Sequence, residues 1–332
     1  MKTQQSKRRF VGIALGAIAT LSLSFAMPGA SHAQTYPDGP IQILVSYGAG
    51  GGTDTLARLL ADPLSEELGV PVTVQNMPGA GGQVAAAAML REAPNGQVIW
   101  AGNQPDLSMG PAINGAPYDE EATQVIMVDL IDPRVLLVDA DSDINTLEDF
   151  VTRARAQPGE LAVSVSQGSA QDYFARWLFG ELGIDVRLVG YQGGSTAANA
   201  LVAGEVIATV GDDFARTNIR DEVKAILVAS VGESPRWPEA QTLTQSLEPF
   251  GITPPRPDFL ARFGVYAVPT AFRTENPEAY EMLQSAMLRA RESAAFSAYI
   301  AANGLEDLSV GMPGEEFDDA FAASIAAVQS VQ

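Results

Sequence analysis

Two glycine-rich segments, Gly48-Ala49-Gly50-Gly51-Gly52 and Asn76-Met77-Pro78-Gly79-Ala80-Gly81-Gly82, each stand between a short apolar run and a stretch with helical spacing. Such a turn points several backbone N–H groups out of a helix start, and these bind a carboxylate without any basic side chain. Two turns of the same kind, Ser166-Gln167-Gly168-Ser169 and Gly190-Tyr191-Gln192-Gly193-Gly194-Ser195, recur later in the chain. A tight turn that only reverses the chain is the competing reading for any one of them, but four loops in two series favour anion capture. Each charge-assisted hydrogen bond contributes about 1.5–3 kcal/mol, so three or four support affinity on the order of micromolar after the cost of association.

The spacing rejects a nucleotide. Thr53 follows Gly48-x-Gly50, and Val84 follows Gly79-x-Gly81, where the dinucleotide fingerprint needs a third small residue; no loop ends in Gly-Lys-Ser/Thr. There is no Gly-x-Ser-x-Gly nucleophile elbow. Cysteine is absent and His32 is the sole histidine, which excludes Cys and Ser–His nucleophiles, the usual zinc sites and disulfides from a chain cleaved after Ala33. Lys224, in a strand-like run, is the one lysine beyond Lys7 and a poor Schiff-base candidate. An acid–base enzyme needs two carboxylates with separated pKa values in one cleft. Asp54, Asp106 and Asp212 are present without a spacing that singles out a pair, so neither catalysis nor a cofactor is expected. Asp54 suits a helix terminus. Asp212 either accepts a hydrogen bond from a ligand's amino or hydroxyl group or is a turn residue. Arg58 and Arg176 fall in helical stretches, as ion-pairing groups; Arg176 follows Ser169 closely enough to be a minor candidate for the site.

The elements that carry these loops alternate. Pro40–Tyr47, Pro71–Gln75 and Gln97–Ala101 read as strands, with helices from Thr53 to Leu68, kinked at Pro63 and ended by Gly69, and from Gln83 to Glu92. This βαβαβ series implies a parallel sheet with right-handed crossovers, whose ligand lies at the carboxyl ends of the strands. A second series begins near Val135. Its strands are Leu161–Val165, Val186–Val189, Val206–Val210 and Ala225–Val231, with helices Ala170–Glu181 and one ending near Gly204. A return strand, Phe263–Val268, and two polar-faced helices, Pro277–Ser293 and Glu315–Val331, complete the chain.

Residues 1–33 run from Lys2, Lys7, Arg8 and Arg9 through the apolar Phe10–Ala26 to Ser31-His32-Ala33, the order of a cleavable secretory signal. The segment is one Lys-for-Arg change from a twin-arginine signal, but ordinary Sec export is the better reading. Without those four basic residues, the 20 basic residues become 16 against 40 acidic ones, a net charge of −24. Nucleic acid, which needs clustered Lys and Arg, is not an expected partner. No apolar run after the signal approaches the roughly 20 residues of a membrane span. The remaining length suits two domains.

Taken together, Tyr36-Pro37-Asp38-Gly39-Pro40, Gly50-Gly51-Gly52-Thr53-Asp54 with Ala57-Arg58, Leu64-Ser65-Glu66, Gly69-Val70-Pro71-Val72 and Asn76 to Gly82 resemble the Bug-type solute receptors of tripartite tricarboxylate transporters. The likeness continues through Ala93-Pro94-Asn95-Gly96, Tyr118-Asp119, Ser169, Tyr191 with Gly193, and Ala203-Gly204-Glu205-Val206. It implies an α/β, two-lobed Venus-flytrap fold with mainly parallel sheets. The expected divisions are residues 34–137 and 263–332 for the first lobe and 138–262 for the second. It also implies a monomeric periplasmic receptor that closes on a small carboxylate, often through waters and backbone amides, and delivers it to inner-membrane transporter subunits. Carried over by position, the site comprises Tyr47, Ala49, Gly50, Gly51 and Thr53, then Ala80 and Gly81, then Asn103 and Gln104. The other lobe contributes Gln167, Ser169, Tyr191, Gly193 and Asp212.

Departures bear on the ligand. Ser46 stands where the family commonly has Pro, Asp172 near its His, and Gly190 and Gln192 at its Pro and Lys. The loss of that cation implies a site short of positive charge, in which mono- and dicarboxylates outrank citrate. A sensor feeding a membrane kinase would share this fold and differ only in its partner.

Overall fold

The computed structural model describes residues 36–113 and 115–329. The signal reading, with its cleavage before Gln34, falls outside them.

The first half of the chain gives β1 (Ile41–Val45), α1 (Gly52–Leu68), β2 (Val72–Asn76), α2 (Gln83–Met89), β3 (Val98–Gln104), α3 (Asp106–Ile113) and β4 (Thr123–Asp132). The second sheet is built by β5 (Arg134–Asp139), α4 (Leu147–Ala156), β6 (Ala162–Ser166), α5 (Ala170–Glu181), β7 (Arg187–Tyr191), α6 (Gly194–Val202), β8 (Ala208–Asp212), β9 (Val223–Ala229), β10 (Gln241–Thr242) and α7 (Leu243–Leu247). The chain then returns through β11 (Arg262–Pro269), α8 (Thr270–Glu275), α9 (Pro277–Arg291), α10 (Ala294–Ala302), β12 (Ser309–Pro313) and α11 (Asp318–Gln329).

Two six-stranded sheets result, in the orders β12-β4-β11-β3-β1-β2 and β10-β9-β5-β8-β6-β7. Each is the centre of one lobe of an α/β, two-lobed fold. The sheets are mixed rather than mainly parallel. Pairs β1–β2, β1–β3, β6–β7 and β6–β8 are parallel, as the βαβ series requires, but β11 is antiparallel to β3 and β4, and β5 to β8 and β9. Strand β12 is antiparallel to β4 as well, and β5 and β11 are the strands that open each crossing between sheets. Only Pro133 separates β4 from β5, so the chain changes sheet there, and the boundary expected between 137 and 138 falls inside β5.

Local chemistry sets the helix ends near the site. Leu56, Leu60 and Leu64 bury one face of α1, which runs on through Pro63 and stops where Gly69 turns left-handed and its N–H caps the Ser65 carbonyl. Asp54 in the first turn accepts the Gly50 N–H at 2.9 Å and pairs with Arg58. Ser169 caps α5, its side chain accepting the Gln171 N–H. α6 starts at Gly193-Gly194 with no side-chain cap. Apolar clusters around Ile43, Leu60 and Met287 in one lobe and around Phe150, Phe174 and Leu178 in the other fix the sheets beneath these helices.

Candidate functional site

The helix starts and the two crossing strands converge on a cavity of about 40 Å³ between the sheets. From the first lobe come Tyr47, the α1 start at Gly51, Gly52 and Thr53, Asn103 from β3, Asp106 from α3 and Arg262 from β11. The second contributes Arg134 from β5, Ser166 and Ser169 before α5, Gln171, the α6 start at Gly194 and Ser195, Asp212 and Arg216. The volume has room for about three water-sized groups.

Three buried guanidinium groups border it: Arg134, Arg216 and Arg262. Arg134 forms an ion pair with Asp212 and donates through Nε to the Leu260 carbonyl at 2.6 Å. Arg262 donates to Asp132 at 2.8 Å and, at 3.3 Å each, to Thr53 Oγ1 and Asn103 Oδ1. Its Nε lies 3.7 Å from Asp212 Oδ2. Gln171 Nε2 donates to the same Asp212 oxygen at 2.9 Å. Removing one partner from such a buried pair costs about 3–5 kcal/mol, because the other charge is left stranded.

The carboxylates respond differently. Desolvation pushes Asp212 up, but Arg134, Arg262 and Arg216 outweigh it and hold the group below the ordinary aspartate value. Asp132, also desolvated, is pushed up to about 6 even beside Arg262, with Asp212 and Asp213 adding repulsion. Asp106 is raised by desolvation too. It bridges the lobes: Tyr47 Oη donates to Oδ2 at 2.7 Å, and the Ala170 N–H at the start of α5 donates to Oδ1 at 2.5 Å. Asn103 Nδ2 donates to the Tyr47 hydroxyl at 2.8 Å. Burial, then Asp106, raises that phenol well above its ordinary value, so it remains a donor.

The residues expected at the site divide three ways. Tyr47, Gly51, Thr53, Asn103, Ser169 and Asp212 line the cavity just described. Ala80, Gly81, Gln167 and Tyr191 line a second cavity of about 330 Å³ where the α2 and β7 loops face each other. Ala49, Gly50, Gln104 and Gly193 line neither. Ala49 and Gly50 are exposed, and the Gly50 N–H is already committed to Asp54. Gln104 turns to the other face of β3 and donates to Ser108 Oγ at 2.9 Å. Gly193 supplies the turn into α6 and accepts the Ala197 N–H through its carbonyl. Arg176 is exposed and pairs with Asp172, away from the cavity. Asp212 is neither a simple turn residue nor a free acceptor, since two arginines and Gln171 surround it.

The expectation of a site short of cations is overturned by Arg134, Arg216 and Arg262. The signal was present in the sequence: Arg134 opens the apolar run Val135-Leu136-Leu137-Val138, and Arg262 interrupts Ala261 and Phe263. A charge at the mouth of a buried strand needs a buried partner or a ligand. Asp106 and Gln171 carried no comparable signal.

A sequence profile described as the tripartite tricarboxylate transporter family receptor matches residues 56–312. The UPF0065 protein in the gbd 5' region of Cupriavidus necator is 32% identical over 262 residues, covering 75% of this chain and 79% of that protein. BugT of Bordetella pertussis is 30% identical over 241 residues, 69% of this chain and 73% of BugT. Among solved structures, MatC from Rhodopseudomonas palustris with bound malate superposes with a TM-score of 0.76 at 22% identity, over 89% of this chain and 99% of MatC. The fold, the family profile and these relatives agree: the chain belongs to the Bug-type receptors of the tripartite tricarboxylate transporter family.

Proposed function

We propose that this protein is a periplasmic receptor, exported by its cleavable signal, that takes a small carboxylate into the cleft between its lobes and hands it to membrane subunits of a tripartite tricarboxylate-type transporter. The observation that carries this reading is the cavity to which both lobes bring positive groups: the α1 and α6 starts and Arg134, Arg216 and Arg262. A ligand in contact with both lobes binds the closed form better, and only such a difference drives closure. At about 40 Å³ the cavity admits a carboxylate only after the lobes part, so a hinge at the two crossings, near Pro133 and before Arg262, is part of the proposal. Tyr47, Gly51, Thr53 and Asn103 are the first-lobe contacts it assigns; the Arg134–Asp212 pair belongs to the second. The malate bound to MatC supports a carboxylate as the class of ligand.

The proposal is tested by thermal melting of the mature chain against acetate, butyrate, succinate, malate, adipate, benzoate and citrate. A ligand at a hundredfold excess over its Kd stabilises the fold by about 2.7 kcal/mol, so at least one acid is expected to raise Tm by several degrees and to be recovered unchanged. A panel without any shift sinks the receptor reading for carboxylates, and chemical turnover of the ligand would replace it with an enzyme.

A further inference from the structure

We infer that Arg216, beside the α6 N-terminus, forms a specificity-determining anion subsite in the second lobe that recognises a second carboxylate, so that the solute is a dicarboxylate rather than a monocarboxylate. This rests on the receptor reading above and narrows it. The other two arginines of the cavity are ion-paired, although Arg134 Nη2 and Arg262 Nε are, like Arg216 Nε, buried without a partner. Arg134 is held by Asp212 and the Leu260 carbonyl, and Arg262 by Asp132, Thr53 and Asn103. Arg216 has no ion pair and no side-chain hydrogen bond among the described residues, although it is 4% exposed, and its Nε is buried without a partner. Burial lowers its pKa, and the nearby Asp212 and Asp132 only partly oppose this.

Its position is built into the backbone. The stem and Nε lie over Gly211, where an added Cβ would come within 2.9 Å of Arg216 Cγ, and the guanidinium lies against Gly194, where a Cβ would stand 2.6 Å from Nη2. Any side chain at either glycine displaces the cation from the cavity. Gly194 also opens α6, a helix of nine residues without a side-chain cap. Its first N–H groups and the guanidinium are therefore adjacent donors of positive potential. Gln171 is alongside, with its amide nitrogen on Asp212 and its Oε1 buried without a partner. Across the cleft is the start of α1: a Cβ on Gly51 would lie 3.5 Å from Ser195 Oγ. Two helix starts from opposite lobes thus face each other, and the unpaired cation stands on the second-lobe side. A solute with a carboxylate at each end satisfies both. A monocarboxylate leaves one of them empty.

The test uses R216Q and R216M in the mature protein, with calorimetric titration of succinate and of butyrate, which matches its carbon chain. We expect each substitution to weaken succinate at least tenfold and butyrate less than threefold. Because a buried, unpaired charge destabilises the apo fold, R216M without ligand should melt higher than the wild type, a gain that a merely structural arginine would not produce. Equal loss for both acids, no loss for succinate, or an R216M protein that melts lower and binds neither would each overturn the assignment. If the wild type binds butyrate as tightly as succinate, the subsite is refuted but the receptor reading stands; if it binds no carboxylate, both fall.

Discussion

Ser169 holds two hydrogen bonds at once: its Oγ accepts the Gln171 N–H at 3.2 Å and donates to the Ser166 carbonyl at 2.8 Å. The hydroxyl proton is therefore committed inside the second lobe, and a ligand facing Ser169 meets lone pairs rather than a donor. Ser169→Ala is expected to cost about 1 kcal/mol of stability through the lost cap, while carboxylate affinity falls far less than it does on loss of the Arg216 charge. Urea unfolding and titration side by side decide this; an unchanged midpoint would show that the cap contributes nothing. Ser169 was named through the resemblance to the receptor family, as a site residue, and its cap follows from its place just before Ala170–Glu181. Arg216 was not, since nothing local distinguishes it from a solvated arginine, and its burial depends on Gly194 and Gly211, the first of them 22 residues upstream on another loop.

The loop Gly79-Ala80-Gly81-Gly82 sits at the seam between lobes. Gly81 has φ +65°, and a Cβ there would lie 2.9 Å from the Gly168 carbonyl oxygen of the second lobe. Gly81→Val meets backbone, which cannot turn aside as a side chain can, and adds left-handed strain of about 1–2 kcal/mol. The variant is expected to fold, to stay open and to lose at least tenfold in affinity. Solution scattering provides the check, because a variant as compact as the wild type would show that the seam tolerates the group. Most regular segments were readable: α5 spans the expected Ala170–Glu181, and β1, β2, β6 and β9 lie within a residue or two of the apolar runs that mark them. Two of those that were missed carry conflicting signals. β4 includes Asp129 and Asp132 in a strand otherwise apolar at its centre, and α3 contains Gly110 and Pro111. Their charges are satisfied only by partners distant in sequence, Arg291 for Asp129 and Arg262 for Asp132.

Between the lobes, polar ties accompany the two chain crossings. Arg236 of the second lobe is buried against Asp213 and reaches Asp307 and the Gly304 carbonyl of the first. Desolvation disfavours its charge, but the bonds to Asp307 and Asp213 outweigh this, and its pKa is raised. The division into two α/β halves could be read from the loop series alone. The paired ions where the halves meet could not, because each pair joins residues tens of positions apart.

Asp106 adds something to the chemistry of uptake. The solute arrives as an anion at a place where the protein already keeps a carboxylate, buried and seated on the first N–H of α5. Desolvation lifts the Asp106 pKa above the ordinary aspartate value, and a second negative charge in the same low-dielectric space lifts it further. Binding therefore draws protons from solution. Affinity rises as pH falls through the bound-state pKa of Asp106 and levels off below its free-state pKa, provided the solute itself stays ionised. Titrations in two buffers of different ionisation enthalpy are expected to give different apparent heats, and Asp106→Asn to remove the difference. Identical heats for the wild type would mean that cargo and carboxylate never share the space. If the heats do differ, the receptor is a proton acceptor as well as a carrier, and every solute it hands to the membrane is accompanied by part of the acidity of the compartment it came from.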